Sequence, residues 1–157
     1  MRPLVIGVGN PDRGDDGVGR VIAQRLGKLS LPDVDIDEAS GEAAALLSLL
    51  QGREMVMIVD ACQSNGAAGH VRQFDVSAAP LPSPVRAISS HGFGVPEAIE
   101  LARTLGELPS RTLVIAVEGQ AFELGASLSP EVHDAVETAI DLICTTLHGG
   151  TVERKAV

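Results

Sequence analysis

Four side chains in this 157-residue chain have the types and placement for metal or acid–base chemistry: Asp15, Asp16, Asp60 and His91. The first two lie in a glycine-rich run, Gly7-Val8-Gly9-Asn10-Pro11-Asp12-Arg13-Gly14-Asp15-Asp16-Gly17-Val18-Gly19, that follows the apolar Leu4-Val5-Ile6. Asp60 closes the apolar run Met55-Val56-Met57-Ile58-Val59, and His91 sits in Ser89-Ser90-His91-Gly92-Phe93-Gly94. Two carboxylates and an imidazole can bind a divalent metal and leave positions open for water or substrate. Two oxygens and one nitrogen do not by themselves choose nickel over zinc. Each residue also has a plainer reading. A carboxylate in a helix's first turn is favoured by the helix dipole alone, which would account for Asp15 or Asp16. Asp60 could cap a strand end, and a loop histidine is commonly solvated or bonded to nearby backbone.

A strand, a glycine-rich turn and a helix ordinarily suggest a phosphate cradle. Here Asp12, Asp15 and Asp16 stand where the phosphate charge would have to go, so the turn suits a cation and argues against nucleotide binding. After Gly7 and Gly9, the third glycine of GxGxxG falls on Asp12. The chain has no GxxxxGK[ST], HExxH or GxSxG. Cys62, two residues beyond Asp60, could be a nucleophile paired with His91, but a small buried thiol is the simpler reading. His70, His133 and His148 fall in strand or helix settings without partners and read as structural or surface groups.

The elements that must position these residues follow from the apolar patterning. Residues 3–9 read as a first, buried strand. A helix from Asp16 to Gly27 has aliphatics at Val18, Val21, Ile22 and Leu26, with Gly27 as its C-terminal cap. Val34 to Asp37 alternates as a second strand, and Glu42 to Leu50 is an Ala- and Leu-rich helix. Met55 to Val59 is apolar throughout, as expected of a central parallel strand buried on both faces. Gly69 to Val76 alternates as a further strand. Ala78 to Ser90, with Pro80, Pro82 and Pro84, reads as a loop. A helix over Pro96 to Leu105, a buried strand over Thr112 to Val117 and a last helix to Leu147 complete the pattern; Ser129 is its N-cap and Pro130 its first residue. The expected fold is α/β, a three-layer sandwich with a twisted, mostly parallel five-stranded sheet between helices. Residues 1–148 form one domain, and 149–157 form a polar tail. In such sheets the site lies at the carboxyl ends of the strands, where Asp15, Asp16, Asp60 and His91 all fall.

Composition narrows the partners. The net charge is −9 and the pI about 4.8, which repels phosphate backbones and anionic lipid; no nucleic acid and no membrane partner is expected. Aromatics are 2% of the chain, which argues against base-stacking platforms and requires an aliphatic core. No segment has the roughly 20 apolar residues of a membrane span. Met-Arg-Pro runs directly into a strand-like segment without an apolar leader, which predicts no export. Cys62 and Cys144 form no CxxC pair or disulfide framework, in keeping with a reducing cytoplasm.

Taken in order, Gly7-x-Gly9-Asn10, Asp15-Asp16-Gly17-x-Gly19, Asp60-Ala61 and His91-x-Phe93-Gly94 resemble the hydrogenase maturation proteases, endopeptidases that trim the C-terminus of the nickel–iron hydrogenase large subunit. The resemblance continues through Val117-Glu118-Gly119-Gln120, Phe122-Glu123 and Leu128-Ser129-Pro130-Glu131-Val132, and spans residues 3 to 147. It implies that Asp16, Asp60 and His91 are both the metal ligands and the catalytic group. It implies that the metal is nickel supplied by the partner, the large-subunit precursor, and that this protein acts as a cytoplasmic monomer. Many members carry Glu where this chain has Asp16, and some have an Asp-Gly-Gly-Thr stretch where this chain reads Asp37-Glu38-Ala39-Ser40-Gly41-Glu42. A nickel-dependent chaperone that does not cut, and a small-molecule metallohydrolase, are the alternatives.

Overall fold

The apolar runs Leu4-Val5-Ile6 and Met55-Val56-Met57-Ile58-Val59 form strands of the sheet core, and where aliphatics recur at helical spacing the chain forms a helix with one buried side. The computed structural model describes residues 1–82 and 94–149. Strand β1 (Leu4–Val8) leads through a single 3₁₀ turn (Gly14–Gly17) into helix α1 (Val18–Lys28). Strand β2 (Asp35–Ala39), helix α2 (Ala43–Leu50) and strands β3 (Met55–Cys62) and β4 (Val71–Asp75) follow. Helix α3 (Val95–Leu105), strand β5 (Arg111–Glu118) and helix α4 (Pro130–Leu147) complete the order.

The sheet runs β2-β1-β3-β5-β4. The first four strands are parallel, while β4 pairs antiparallel with β5, Val71 opposite Val117 and Asp75 opposite Leu113. The link between β3 and β4 explains the exception. Residues 63–70 are too few for the crossover that a parallel partner needs, so the chain turns back along the outer edge of β5. The sheet is therefore the expected mostly parallel, five-stranded one with helices on both faces.

Alternate strand residues divide the core in two. Leu4, Ile6, Val56, Ile58, Val114 and Ala116 face α2 and α3. Val5, Met57, Val59, Leu113, Ile115 and Val117 face α1 and α4, meeting Ile22, Leu26, Val136 and Ile140. The two-residue period of a strand sets this division.

The close approach of α1 to β1 and β3 decides where the acidic turn lands. A Cβ on Gly19 would meet the carbonyl oxygens of Val8 and Val59, and one on Gly7 would meet the Gly19 carbonyl and, at 2.6 Å, the Ala23 Cβ. Helix and sheet thus touch backbone to backbone, which only glycine permits.

Two local expectations are corrected. Gly27 does not cap α1: the helix runs through Lys28, and the left-handed residue that ends it is Ser30. The last turn still packs Leu26 fully into the core, which holds Gly27 helical. Strand β3 also runs past Val59, so Asp60 lies within the strand, opposite Ala116. Of the proline-rich loop, residues 78–82 have no regular structure; residues 83–90 and 150–157 lie outside the described residues. No helix among the described residues is long and apolar enough to cross a membrane.

Glycine contacts give a direct stability test. Gly19→Ala should destabilise the protein by about 2–3 kcal/mol, the cost of forcing a methyl into filled space. Gly27→Ala, with nothing within 4 Å of the added carbon, should stabilise it by about 0.5–1 kcal/mol through helix propensity. Urea unfolding of the two variants measures both.

Candidate metal and catalytic site

The glycine turn after β1 is built by short-range hydrogen bonds. The Asp12 amide donates to Asn10 Oδ1 at 2.9 Å, and the Arg13 amide donates to the Asn10 carbonyl at 3.2 Å. The chain then makes its single 3₁₀ turn, in which the Asp16 amide donates to the Arg13 carbonyl. Asp16 lies over Gly9, where φ is +144° and a Cβ would strike the Asp16 carbonyl. Its carboxylate is half-buried, and Oδ2 accepts the Asn10 amide at 2.9 Å.

Asp60 comes from the neighbouring strand. It shares the sheet face of Ile58 and Cys62, at the carboxyl end of β3. Its Oδ1 accepts the Ala61 amide at 2.8 Å. Burial, and next the charge of Asp16, push the Asp60 carboxyl well above the ordinary carboxylate range, and the Ala61 bond offsets them only in part. Asp16 and Asp60 thus repel one another across the same edge of the sheet. A cation arriving between them would relieve the repulsion, and a pair of this kind can also hold or pass a proton. His91 lies outside the described residues; α3 begins shortly after it, with Gly94 as N-cap. Among the described residues, no three His, Cys, Asp or Glu side chains converge on one metal-sized point.

Asp15 does not join this pair, nor does it face the space a phosphate would need. Its side chain is fully buried and turned into the protein. Oδ2 accepts the amides of Gln120 (2.8 Å) and Ala121 (2.9 Å) and the Ser129 hydroxyl (2.9 Å), and Oδ1 accepts the Ser129 amide (2.7 Å). Burial alone would raise its pKa, but these four donors outweigh burial and hold the carboxyl below its usual range. Ser129 stands at the N-cap of α4, as expected, yet its hydroxyl serves Asp15 and does not cap the helix.

A second buried carboxylate, Glu118, closes β5. Oε1 accepts the Ser64 and Gly66 amides, at 2.7 and 2.8 Å. Oε2 accepts the Ser64 hydroxyl and the Cys62 thiol, both at 2.9 Å, and pairs with Arg72 at 3.5 Å. Burial opposes ionisation, but the bonds from Cys62, Ser64 and Gly66 prevail and depress its pKa. The same arrangement keeps Cys62 inert: burial and the Glu118 carboxylate push its thiol up to about 12, far from the thiolate a nucleophile requires. The sequence signal for Glu118 was the one that marked Asp60, a lone carboxylate ending an apolar strand. His70, His133 and His148 are exposed, and the His148 ring lies 2.6 Å from the Cys144 carbonyl.

Comparison with known proteins identifies the family. A family model for hydrogenase maturation proteases, HycI, matches residues 21–146. The chain belongs to this family. A provisionally assigned hydrogenase maturation protease of Methanocaldococcus jannaschii is 32% identical over 89% of this chain and 92% of its own. The solution structure of an endopeptidase from Escherichia coli superposes with a TM-score of 0.84 at 25% identity, over 98% of this chain and 96% of that one. The crystal structure of a [NiFe] hydrogenase maturation protease from Thermococcus kodakarensis has a TM-score of 0.70 at 25% identity, over 94% and 93%. The protein is accordingly a maturation endopeptidase with the family's α/β fold.

The depressed pKa of Glu118 ties stability to pH. A carboxyl whose folded pKa lies below its unfolded value stabilises the fold above the unfolded value, and that stability is lost as the pH falls through the folded one. Glu118→Gln should therefore be less stable than the parent at neutral pH. The gap should narrow as the pH drops below the ordinary glutamate value of 4.5. Thermal unfolding of both proteins between pH 7 and pH 3 checks the sign.

Proposed function

We propose that this endopeptidase removes a C-terminal extension from the nickel-containing precursor of a nickel–iron hydrogenase large subunit. The observation that carries the reading is the Asp16–Asp60 pair. Two carboxylates forced together at the carboxyl edge of a parallel sheet, one of them driven toward its neutral form, form a cradle for a cation brought from outside. In this reading His91, matched to the family's loop histidine by resemblance of its motif, supplies the nitrogen donor. Asp16 and Asp60 fit a divalent metal by chemistry, since both are hard oxygen donors and Asp60 has only one hydrogen-bond donor of its own among the described residues.

In this reading the precursor's nickel is part of the substrate. The three side chains hold the metal-bearing end of the precursor and align its extension for hydrolysis. One of the two carboxylates, freed of its proton as the cation arrives, orients or deprotonates the attacking water. The reaction is intracellular, in the cytoplasm, and the protein works as a monomer on a protein partner. The [NiFe] hydrogenase protease with the same fold supports the partner class.

The test is mass spectrometry of precursor incubated with the protease. Nickel-loaded precursor should lose its extension, and nickel-free precursor should keep it, with chelator-treated and untreated protease behaving alike. Efficient cutting of nickel-free precursor would defeat the reading. Asp60→Asn and His91→Ala should each slow cleavage about a hundredfold or more, equivalent to about 2.7 kcal/mol of lost binding. Asp60→Asn should leave the melting temperature unchanged or higher, because it removes a half-buried, repelled charge. A paired measurement of cleavage and thermal unfolding separates loss of function from loss of fold.

A further inference from the structure

The acidic turn gets little support from its own sequence. Gly14–Gly17 is one 3₁₀ turn of four residues, and no side chain caps its start at Arg13. Such short turns have poor hydrogen-bond geometry and hold their shape only when something else fixes them. Here the fixing element is the loop between β5 and α4, residues 119–129. The Gly14 amide donates to the Ala126 carbonyl at 3.1 Å, the Asp15 amide to Ala121 at 2.7 Å, and the Gly125 amide to Asp12 at 2.7 Å. Gly14 has φ +56°, and a Cβ there would strike the Ala121 carbonyl. Gly119 lies so close that its own Cβ would fall 2.9 Å from that of Asp15.

Asp15 is the centre of this junction. All four donors to its carboxylate come from the 119–129 loop, two of them from Ser129, and the side chain is wholly out of water. The next residue in the chain is Asp16, whose Oδ2 meets the Asn10 amide on the other side of the turn. We propose that Asp15 is a positioning residue: by gripping the 119–129 loop it fixes the turn and thereby places the Asp16 carboxylate over Gly9, beside Asp60. The acidic Asp15-Asp16 dipeptide then divides its work, one carboxylate anchoring inward and the other facing the site. That Asp16 matters to the reaction rests on the proposed function; that Asp15 places it does not.

The Asn10 amide reports the placement directly, since its partner is the Asp16 carboxylate. Asp15→Asn keeps the shape but puts an amide NH2 where every neighbour is a donor, so at least one N–H or O–H is left facing another. By NMR hydrogen exchange, at a temperature where the variant is folded, the Asn10 amide should exchange about tenfold faster or more. The β3 amides of Met57 and Ile58 should keep their protection, which a general loosening of the fold would not allow. Cleavage of nickel-loaded precursor should fall at least about tenfold in kcat/KM. Ser129→Ala, which removes one of the four donors and keeps the backbone amide, should move both readings the same way by a smaller factor, and it answers the question if Asp15→Asn does not fold. An Asn10 amide as protected as in the parent, in a folded variant, would overturn the positioning role. So would parental cleavage by Asp15→Asn when Asp16→Ala is inactive. Parental cleavage by Asp16→Ala would instead overturn the functional reading, while faster exchange at Asn10 would still establish what Asp15 does.

Discussion

The contact on which the site depends is made by two residues with no side chains. Gly7 in β1 and Gly19 in α1 allow the helix to lie against the backbones of β1 and β3, with the Gly19 α-carbon facing the carbonyls of Val8 and Val59. A larger residue at either place would lift α1 from the sheet, and the turn that joins them would rise with it. Because α1 sits low, the turn folds back over the end of β1, and Asp16 comes to rest on Gly9 next to the carboxyl end of β3. The proximity of Asp16 to Asp60 is a consequence of this backbone packing, since the two acids repel.

Among the buried and half-buried carboxylates at this edge of the sheet, Asp15, Glu118 and Asp60 share burial, and their surroundings divide them into two behaviours. Asp15 and Glu118 each face hydrogen-bond donors on every side, four in one case and a thiol, a hydroxyl, two amides and Arg72 in the other, so both ionise readily. Asp60 has one amide and a neighbouring carboxylate, so its charged form is disfavoured. Burial is common to all three; the donor count decides which acids hold the structure together and which one awaits a partner. The end of β5 organises both anchors. Glu118 draws the segment after β3 inward, and the loop beyond it supplies every donor to Asp15.

The same edge explains why this glycine-rich turn does not have the form of a phosphate cradle. In a phosphate cradle the turn amides point outward to the anion. In this turn the amides of Asp12, Arg13, Asp15 and Asp16 are already used within the turn and by the 119–129 loop, and the open side carries a carboxylate.

Much of this was legible in the sequence. The apolar runs at Leu4–Ile6, Met55–Val59 and Thr112–Val117 could only be buried parallel strands, helical spacing marked the helices between them, and the strand-edge rule placed Asp16 and Asp60 on one side of the sheet. These are local signals, carried by period and hydropathy, and they survive in the fold because each strand and helix buries the face its own pattern defines. What period and hydropathy did not determine was which of two adjacent aspartates turns outward; only the family resemblance singled out Asp16. Asp15 and Asp16 are chemically identical and one residue apart; the choice is made by Gln120, Ala121 and Ser129, more than a hundred residues away, whose donors claim the first and leave the second. For the same reason the hydroxyl of Ser129 looked like a helix cap and is not one, whereas Cys62, read from the sequence as a small buried thiol, is one and is held inert by Glu118. Side-chain period is written in neighbours along the chain, but hydrogen-bond partners and the charge of a buried acid are set by neighbours in space, and those exist only once β5 and the loop after it have closed over the turn.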